Sequence, residues 1–356
     1  MTISVVQWST GNVGRAALRG ILAHPELSLA GVWVSSEEKA GRDAGTLVDR
    51  DEVGVAATTD AARLIELRPD VVCYTAMADD RIEEAVEDLC RLLRAGIDVV
   101  SSSPVFLQFP AGAAEELAAP VREAAREGGA SCFVNGIDPG FANDALPLTV
   151  TGISERIDTV RCQEVLNYAT YDQGKVLFTI MGFGRPLDDV PMLLQPGVLT
   201  LAWGSVLHQL AAGLGVELER IDEQYERLPA PHDLTVDSGT IPRGTAAALR
   251  FELAGIVDGE PRLFLEHVTR TDDALAPEWP QPAGAGCYRV EVTGSPSYTV
   301  DLQLLGEDGD HNTAGLQATA MRLVNAIPHV VAAPPGLLTA LDLPLVTGRG
   351  LMAGAR

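Results

Sequence analysis

Paired histidines, CxxC spacings, a basic surplus and long apolar runs are all missing from this chain, and each absence closes a class of function. The five cysteines, Cys73, Cys90, Cys132, Cys162 and Cys287, are scattered and odd in number, and four of them lie in apolar runs. Such a set excludes a disulfide framework or a cysteine zinc site and reads as reduced core residues. The six histidines are dispersed, none at a usual ligand spacing from a cysteine or carboxylate, so no metal is expected. Only 26 Lys and Arg face 49 Asp and Glu, a net charge of −23. Nucleic-acid binding needs cations against phosphates, so no such partner is expected and the charge serves solubility. No apolar run reaches the ~18 residues of a membrane span, and a strand begins where a signal peptide would lie. A cytoplasmic protein without a membrane partner is expected.

What is present is length enough for about two domains and a substantial core. Up to about residue 150, short β-branched runs at 3–7, 29–34, 71–75, 98–102 and 131–135 alternate with amphipathic segments at 13–23, 59–67, 81–95 and 113–127. That alternation makes a parallel sheet with crossover helices. Beyond Asn143 it gives way to long period-two runs such as "AAALRFELAGIVDGEPRLFLEHVTR" and "CYRVEVTGSPSYTVDLQLL", with hairpin signals at "VDGEPRL" and "TGSPSY". Helices are expected at 198–214 and at 315–326, the second stopped by Pro328. The expectation is an α/β Rossmann domain over 1–143, an α+β domain on a largely antiparallel sheet over 144–312, and a helix and tail over 313–356 returning to the first domain.

The turn "WSTGNVGRAALRGI" joins the first strand to the first helix, where a dinucleotide fingerprint carries its mechanism. Its three glycine places hold Ser9, Gly11 and Gly14, and a serine in the first is tolerable if φ stays negative. Ser9, Thr10, Asn12 and Val13 put hydroxyl, amide and backbone donors beside the helix N-terminus, which favours a pyrophosphate. An NAD site ends its second strand in an acid, whereas "SLAGVWV" runs into Ser35 and Ser36, with Lys39 and Arg42 beyond. Hydroxyls and a cation suit a 2′-phosphate, so NADP is expected, with NAD as the alternative because Glu37 and Glu38 adjoin. Thr75, Ala76 and Met77, then Ser101 and Ser102, follow later strands and let a cofactor lie across the strand ends.

The segments "VSSEEKAGRDAG", "VNGIDPGFANDALPL", "MGFG", "SGTIPRGTAAALRFEL" and "GLQATAMRLVNAIPHVVAAPPGLLT", with the opening turn, resemble the dihydrodipicolinate-reductase-like oxidoreductases that include 2,4-diaminopentanoate dehydrogenase and the native amine dehydrogenases. The resemblance runs from residue 2 to about 352 and is greatest to the mycobacterial-type branch. It implies a Rossmann domain, a homodimer built through the second domain's sheet, and NADP-linked hydride transfer to an imine formed from a ketone and ammonia. Paired histidines of the true dihydrodipicolinate reductases are absent, and the only "SGT", 238–240, lies in a hairpin, so that activity is not expected. One departure matters: where the amine dehydrogenases carry acids, "SSSPVFLQFP" places Val105 and Phe106, with Gln108 the nearest polar side chain. A glutamine orients but does not exchange a proton.

The proton work then falls to another carboxylate, with Asp138 in "NGIDPGF" and Glu164 in "CQEVLNY" the candidates. Asp138 stands at a strand's carboxyl end, where ligands of open α/β sheets collect, although it also suits a cap for the following helix. Glu164 also suits a cross-strand ion pair. Asn135, Gly136, Pro139 and Gly140 are expected near the nicotinamide, and Asn325 at its carboxamide. Phe106, Phe141, Tyr168, Tyr171 and Phe178 are expected to line an apolar pocket or fill core, and His267 and His329 to titrate near neutrality. The reaction expected is reductive amination of a small apolar ketone, or its reverse. The alternatives are an NADP-dependent carbonyl reductase or alcohol dehydrogenase, and a non-catalytic NADP-binding regulator.

Overall fold

A computed structural model describes residues 2–352, and these resolve into two units, one of residues up to 137 with those from 316 on and one of residues 138–315. The division falls six residues before the composition change at Asn143, because the turn carrying Asp138 already belongs to the second unit.

In the first unit, strands β1 (Ile3–Trp8), β2 (Leu27–Trp33), β3 (Ala57–Thr58), β4 (Val71–Tyr74), β5 (Asp98–Ser101) and β6 (Ser131–Val134) alternate with helices α1 (Asn12–Ala23), α2 (Ala61–Glu66), α3 (Ile82–Arg94) and α4 (Glu115–Gly128). With β15 (Gly336–Leu338) they form a wholly parallel sheet in the order β15-β6-β5-β4-β1-β2-β3. The strands read as continuous apolar runs because both faces are covered. Helix α1 turns Ala17, Leu18 and Ile21 inward, and α3 turns in Ala85, Leu89, Leu92 and Leu93.

The second unit holds α5 (Ala145–Thr151), β7 (Arg156–Asn167), α6 (Val198–Leu214), β8 (Arg220–Pro229), a small hairpin of β9 (Leu234–Val236) and β10 (Gly239–Ile241), then β11 (Ala246–Val257), β12 (Glu260–Arg270), β13 (Cys287–Ser295) and β14 (Tyr298–Leu302). The large sheet runs β14-β13-β7-β12-β11-β8 and is antiparallel except where β7 meets β12. The Asp258-Gly259 turn takes left-handed φ at both residues (53° and 77°), as a two-residue hairpin loop demands. One face packs against α6, which is apolar nearly all round.

Helix α7 (His311–Ala332) corrects the expected stop at Pro328, since it starts earlier and runs through the proline. An interior proline costs ~3 kcal/mol. Ile327 and Val330 flank it fully buried, at about 1.5–3 kcal/mol apiece, and their burial offsets that cost. Among the described residues no helix is long and apolar enough to cross a membrane.

Candidate active site

Strand alternation builds the chemical centre of the second unit. Glu164 on β7 is the direct register partner of His267 on β12, His267 that of Phe251 on β11, and Glu164 that of Tyr288 on β13. Residues so paired share a face, so Phe251, His267, Glu164 and Tyr288 form one row across four strands. Two further groups close on the row. Trp203 comes from α6, and Asp138 from an irregular turn ahead of α5 that Gly140 (φ 148°) lets reverse.

His267 bridges the carboxylates through its two ring nitrogens, Nε2 lying 3.3 Å from Asp138 Oδ1 and Nδ1 3.4 Å from Glu164 Oε1. The side chains are only 6%, 3% and 7% exposed for His267, Asp138 and Glu164, so little water screens the bridge. Asp138 Oδ1 also accepts a 2.8 Å hydrogen bond from Trp203 Nε1, and Glu164 Oε1 one of 2.9 Å from the Tyr168 hydroxyl. The His267–Asp138 contact is ionic and off hydrogen-bond alignment, since Nε2 has no aligned partner among the described residues. The ring lies flat against Phe251 (4.6 Å, 17°) and edge-on to Trp203 (4.8 Å).

Burial pulls the His267 ring toward its neutral form, but the charges of Asp138 and Glu164 outweigh it and push the imidazole up to about 10. The expected titration near neutrality is therefore corrected: His267 is a cation through the neutral range. Burial, with Glu164 next to them, drives the phenols of Tyr168 and Tyr288 well above their ordinary value. Dispersed in sequence, these acids and this histidine gather their donor atoms within 4.8 Å. Each ring nitrogen faces a different carboxylate, which is the geometry of an ion-pair bridge and not of three ligands converging on a metal.

Asp138 does not cap the following helix, because Asp144 accepts from the Ala145 N–H there. Tyr171 stacks on Tyr168 at 4.5 Å. Phe178 stands apart against the β9–β10 hairpin, its ring near Gly239, and Phe141 is half-buried after Gly140. Trp203, Phe251 and Tyr288 escaped the sequence reading. His267 stands in that reading beside His329, as a histidine titrating near neutrality and not as part of a cluster.

In the first unit, the turn after β1 forms the other candidate site. Ser9 has φ +79°, correcting the expectation of a negative value. The reason is that its carbonyl turns down over α1, where Gln7 Nε2 donates to it at 2.8 Å and where a Cβ on Gly14 would stand 2.3 Å from it. Gly11 occupies the N-cap of α1 with nothing within 4 Å of an added Cβ, so the helix end is an open anion cradle. Thr75 Oγ1 ties this turn to β4 through Trp8 O at 2.9 Å. Lys39 Nζ donates to Thr10 O (3.1 Å) and Oγ1 (3.3 Å), which holds an ammonium beside the turn. Ser35 is exposed and Ser36 half-buried beyond β2, while Arg42 is exposed.

Ala76 is buried and Met77 exposed, and the Ser101 hydroxyl is engaged by Tyr74 O and Ser103 O. Asn135 Oδ1 accepts from Arg322 Nε at 2.9 Å, and the buried Asn325 Oδ1 has no hydrogen-bond partner among the described residues. Val105, Phe106, Leu107 and Gln108 make a single tight turn in which the last three are buried, Phe106 in the core with Trp8 and Tyr74.

Comparison with known proteins adds a family. Residues 141–356 match the model of the 2,4-diaminopentanoate dehydrogenase C-terminal domain. The chain is 44% identical to an amine dehydrogenase of Streptomyces virginiae over 96% of each chain. It is 26% identical to the 2,4-diaminopentanoate dehydrogenase of Acetoanaerobium sticklandii, covering 94% of this chain and 92% of that one. The solved structure of amine dehydrogenase from Mycobacterium smegmatis shares the fold, with a TM-score of 0.79 at 22% identity over 98% of both chains.

Proposed function

Because the chain belongs to the family of amine dehydrogenases and 2,4-diaminopentanoate dehydrogenases, oxidoreductases acting on CH–NH2 groups, we propose that it is an NADP-dependent amine dehydrogenase that joins ammonia to a small apolar ketone, and runs the reverse deamination. The observation that carries the reading is the buried Asp138–His267–Glu164 cluster, which supplies proton-exchanging carboxylates to a chain whose 105–108 turn has none.

Hydride is the chemistry a bound nicotinamide supplies. The fit of this chain to the nucleotide rests on the open N-terminus of α1, with Ser9 to Gly14 at the pyrophosphate and Ser35, Ser36 and Lys39 at the 2′-phosphate. Asp138 handles the proton. When ammonia adds to the carbonyl carbon, nitrogen holds one proton too many and the oxygen lacks one. Asp138 takes that proton and returns it to the oxygen, which gives the neutral carbinolamine; a second proton, drawn from solvent through the same carboxyl group, goes to the hydroxyl, so the C–O bond breaks with water as the leaving group and a cationic iminium remains. Glu164, fixed by Tyr168, is the second carboxylate of the cluster. The reading extends to a cytoplasmic homodimer built through the large sheet of the second unit.

NADPH oxidation by the purified protein over a panel of small ketones, with and without ammonium at alkaline pH, tests this. Oxidation that needs ammonium supports the proposal. Oxidation indifferent to ammonium makes it a carbonyl reductase, and tight NADPH binding without turnover makes it a regulator.

A further inference from the structure

We propose that His267 is a positioning residue of this reaction: its ring bridges Asp138 and Glu164, holds the two acids in one arrangement, and is outnumbered by the buried acids around it, so that the cluster favours a cationic iminium over a neutral ketone. The consequence for turnover rests on the amine dehydrogenase reading; the bridge itself is testable without it.

Geometry carries the claim. One ligand atom from each of Asp138, Glu164 and His267 lies within 4.8 Å of the other two, all three side chains buried. Two carboxylates that close, with no cation between them, share a proton. Here the cation is built in, and the sheet register fixes it, since His267 is the direct partner of both Phe251 and Glu164. The stacked face of Phe251 suits a positive ring.

The groups that face the ring are few. Asp138 comes from the turn before α5 and Glu164 from β7. Tyr168 and Tyr288 reach it through Glu164, and α6 and β11 present only the uncharged Trp203 and Phe251. Both phenols stay neutral, as does the buried Cys162 thiol, which burial raises first, Asp138 next and then Asp144, a fully buried acid from the end of the same turn as Asp138. The buried acids therefore outnumber the single imidazolium, and the cluster is net negative. In the forward reaction the ketone is neutral and the iminium positive, so this charge acts on the species that receives hydride.

Two measurements on the full chain test the inference. With 15N-histidine label, the His267 resonances, assigned by their loss in H267Q or, should that not fold, H267N, are expected to show both ring nitrogens protonated from about pH 7 to about pH 9. A midpoint near the ordinary ~6.5 overturns the bridge. In H267Q the acid limb of kcat/KM for reductive amination is expected to move upward by about one pH unit or more, because one carboxylate then holds a proton. A uniform fall in rate with an unmoved limb overturns it, since that is what lost packing alone would give. Should no ketone be turned over with or without ammonium, the reaction assignment fails, and the resonance measurement still decides the bridge.

Discussion

Trp203 and Asp138 are joined by one hydrogen bond of 2.8 Å, from the indole nitrogen on α6 to the carboxylate in the turn before α5. Among the described residues it is the one hydrogen bond to Asp138 from a helix, and it holds the same Oδ1 that faces His267. In W203F the buried carboxylate loses its donor while the ring volume is largely kept. The expected outcome is a fall in kcat of about tenfold, equivalent to ~1.4 kcal/mol, with folding intact by circular dichroism.

The His267 proton links stability to pH. Its folded-state value is raised above the unfolded value of 6.5 to about 10, so the folded chain holds a proton that the unfolded chain releases. That contribution is complete below about pH 6.5 and is lost as pH rises toward about pH 10. Denaturant midpoints are expected to fall across this window more steeply for the wild type than for H267Q. Parallel curves would contradict the assignment.

At the nucleotide turn, two substitutions act in opposite senses. An added Cβ in G14A would lie 2.3 Å from the Ser9 carbonyl oxygen and 2.7 Å from Thr75 Oγ1, so the turn must shift. NADPH binding, followed by fluorescence titration, is expected to weaken by about tenfold or more, in keeping with the close packing the third fingerprint glycine serves. S9G removes the left-handed strain of a side-chain-bearing residue and is expected to raise stability by up to about 1 kcal/mol in chemical denaturation.

On the opposite face of the large sheet, Glu252 and Glu266 are direct cross-strand partners that repel one another. Arg161 answers both, contacting Glu252 and, at 2.8 Å, Glu266, which also accepts from Arg250 and Gln163. R161M removes the cation that both acids share, leaving Glu266 its Arg250 and Glu252 only the amide of Gln224, and is expected to cost about 1–2 kcal/mol, read as a lowered urea midpoint at unchanged m-value.

Much of this was legible in the sequence for definite reasons. The parallel strands of the first unit announce themselves as buried apolar runs between helical periodicities, and the boundaries of α6 follow from its apolar span and the glycine after it. The cradle was legible from Gly11 and Gly14. The sign of φ at Ser9 was not, because it depends on where its carbonyl lies against Gly14 and Gln7. Nor was the cluster: Asp138, Glu164 and His267 are more than 100 residues apart end to end, and only the register of β7 with β12 puts His267 beside Glu164. Trp203 left no signal at all, since an aromatic in an apolar helix reads as core. Pro328 misled because local propensity ends a helix that burial of its neighbours continues.

The central claim is that the proton work of reductive amination belongs to Asp138. Comparing D138N with the wild type for ammonium-dependent NADPH oxidation tests it most directly, with NADPH affinity measured alongside. The account predicts a kcat lower by about 100-fold or more with NADPH affinity unchanged. Wild-type turnover by a correctly folded D138N would contradict it.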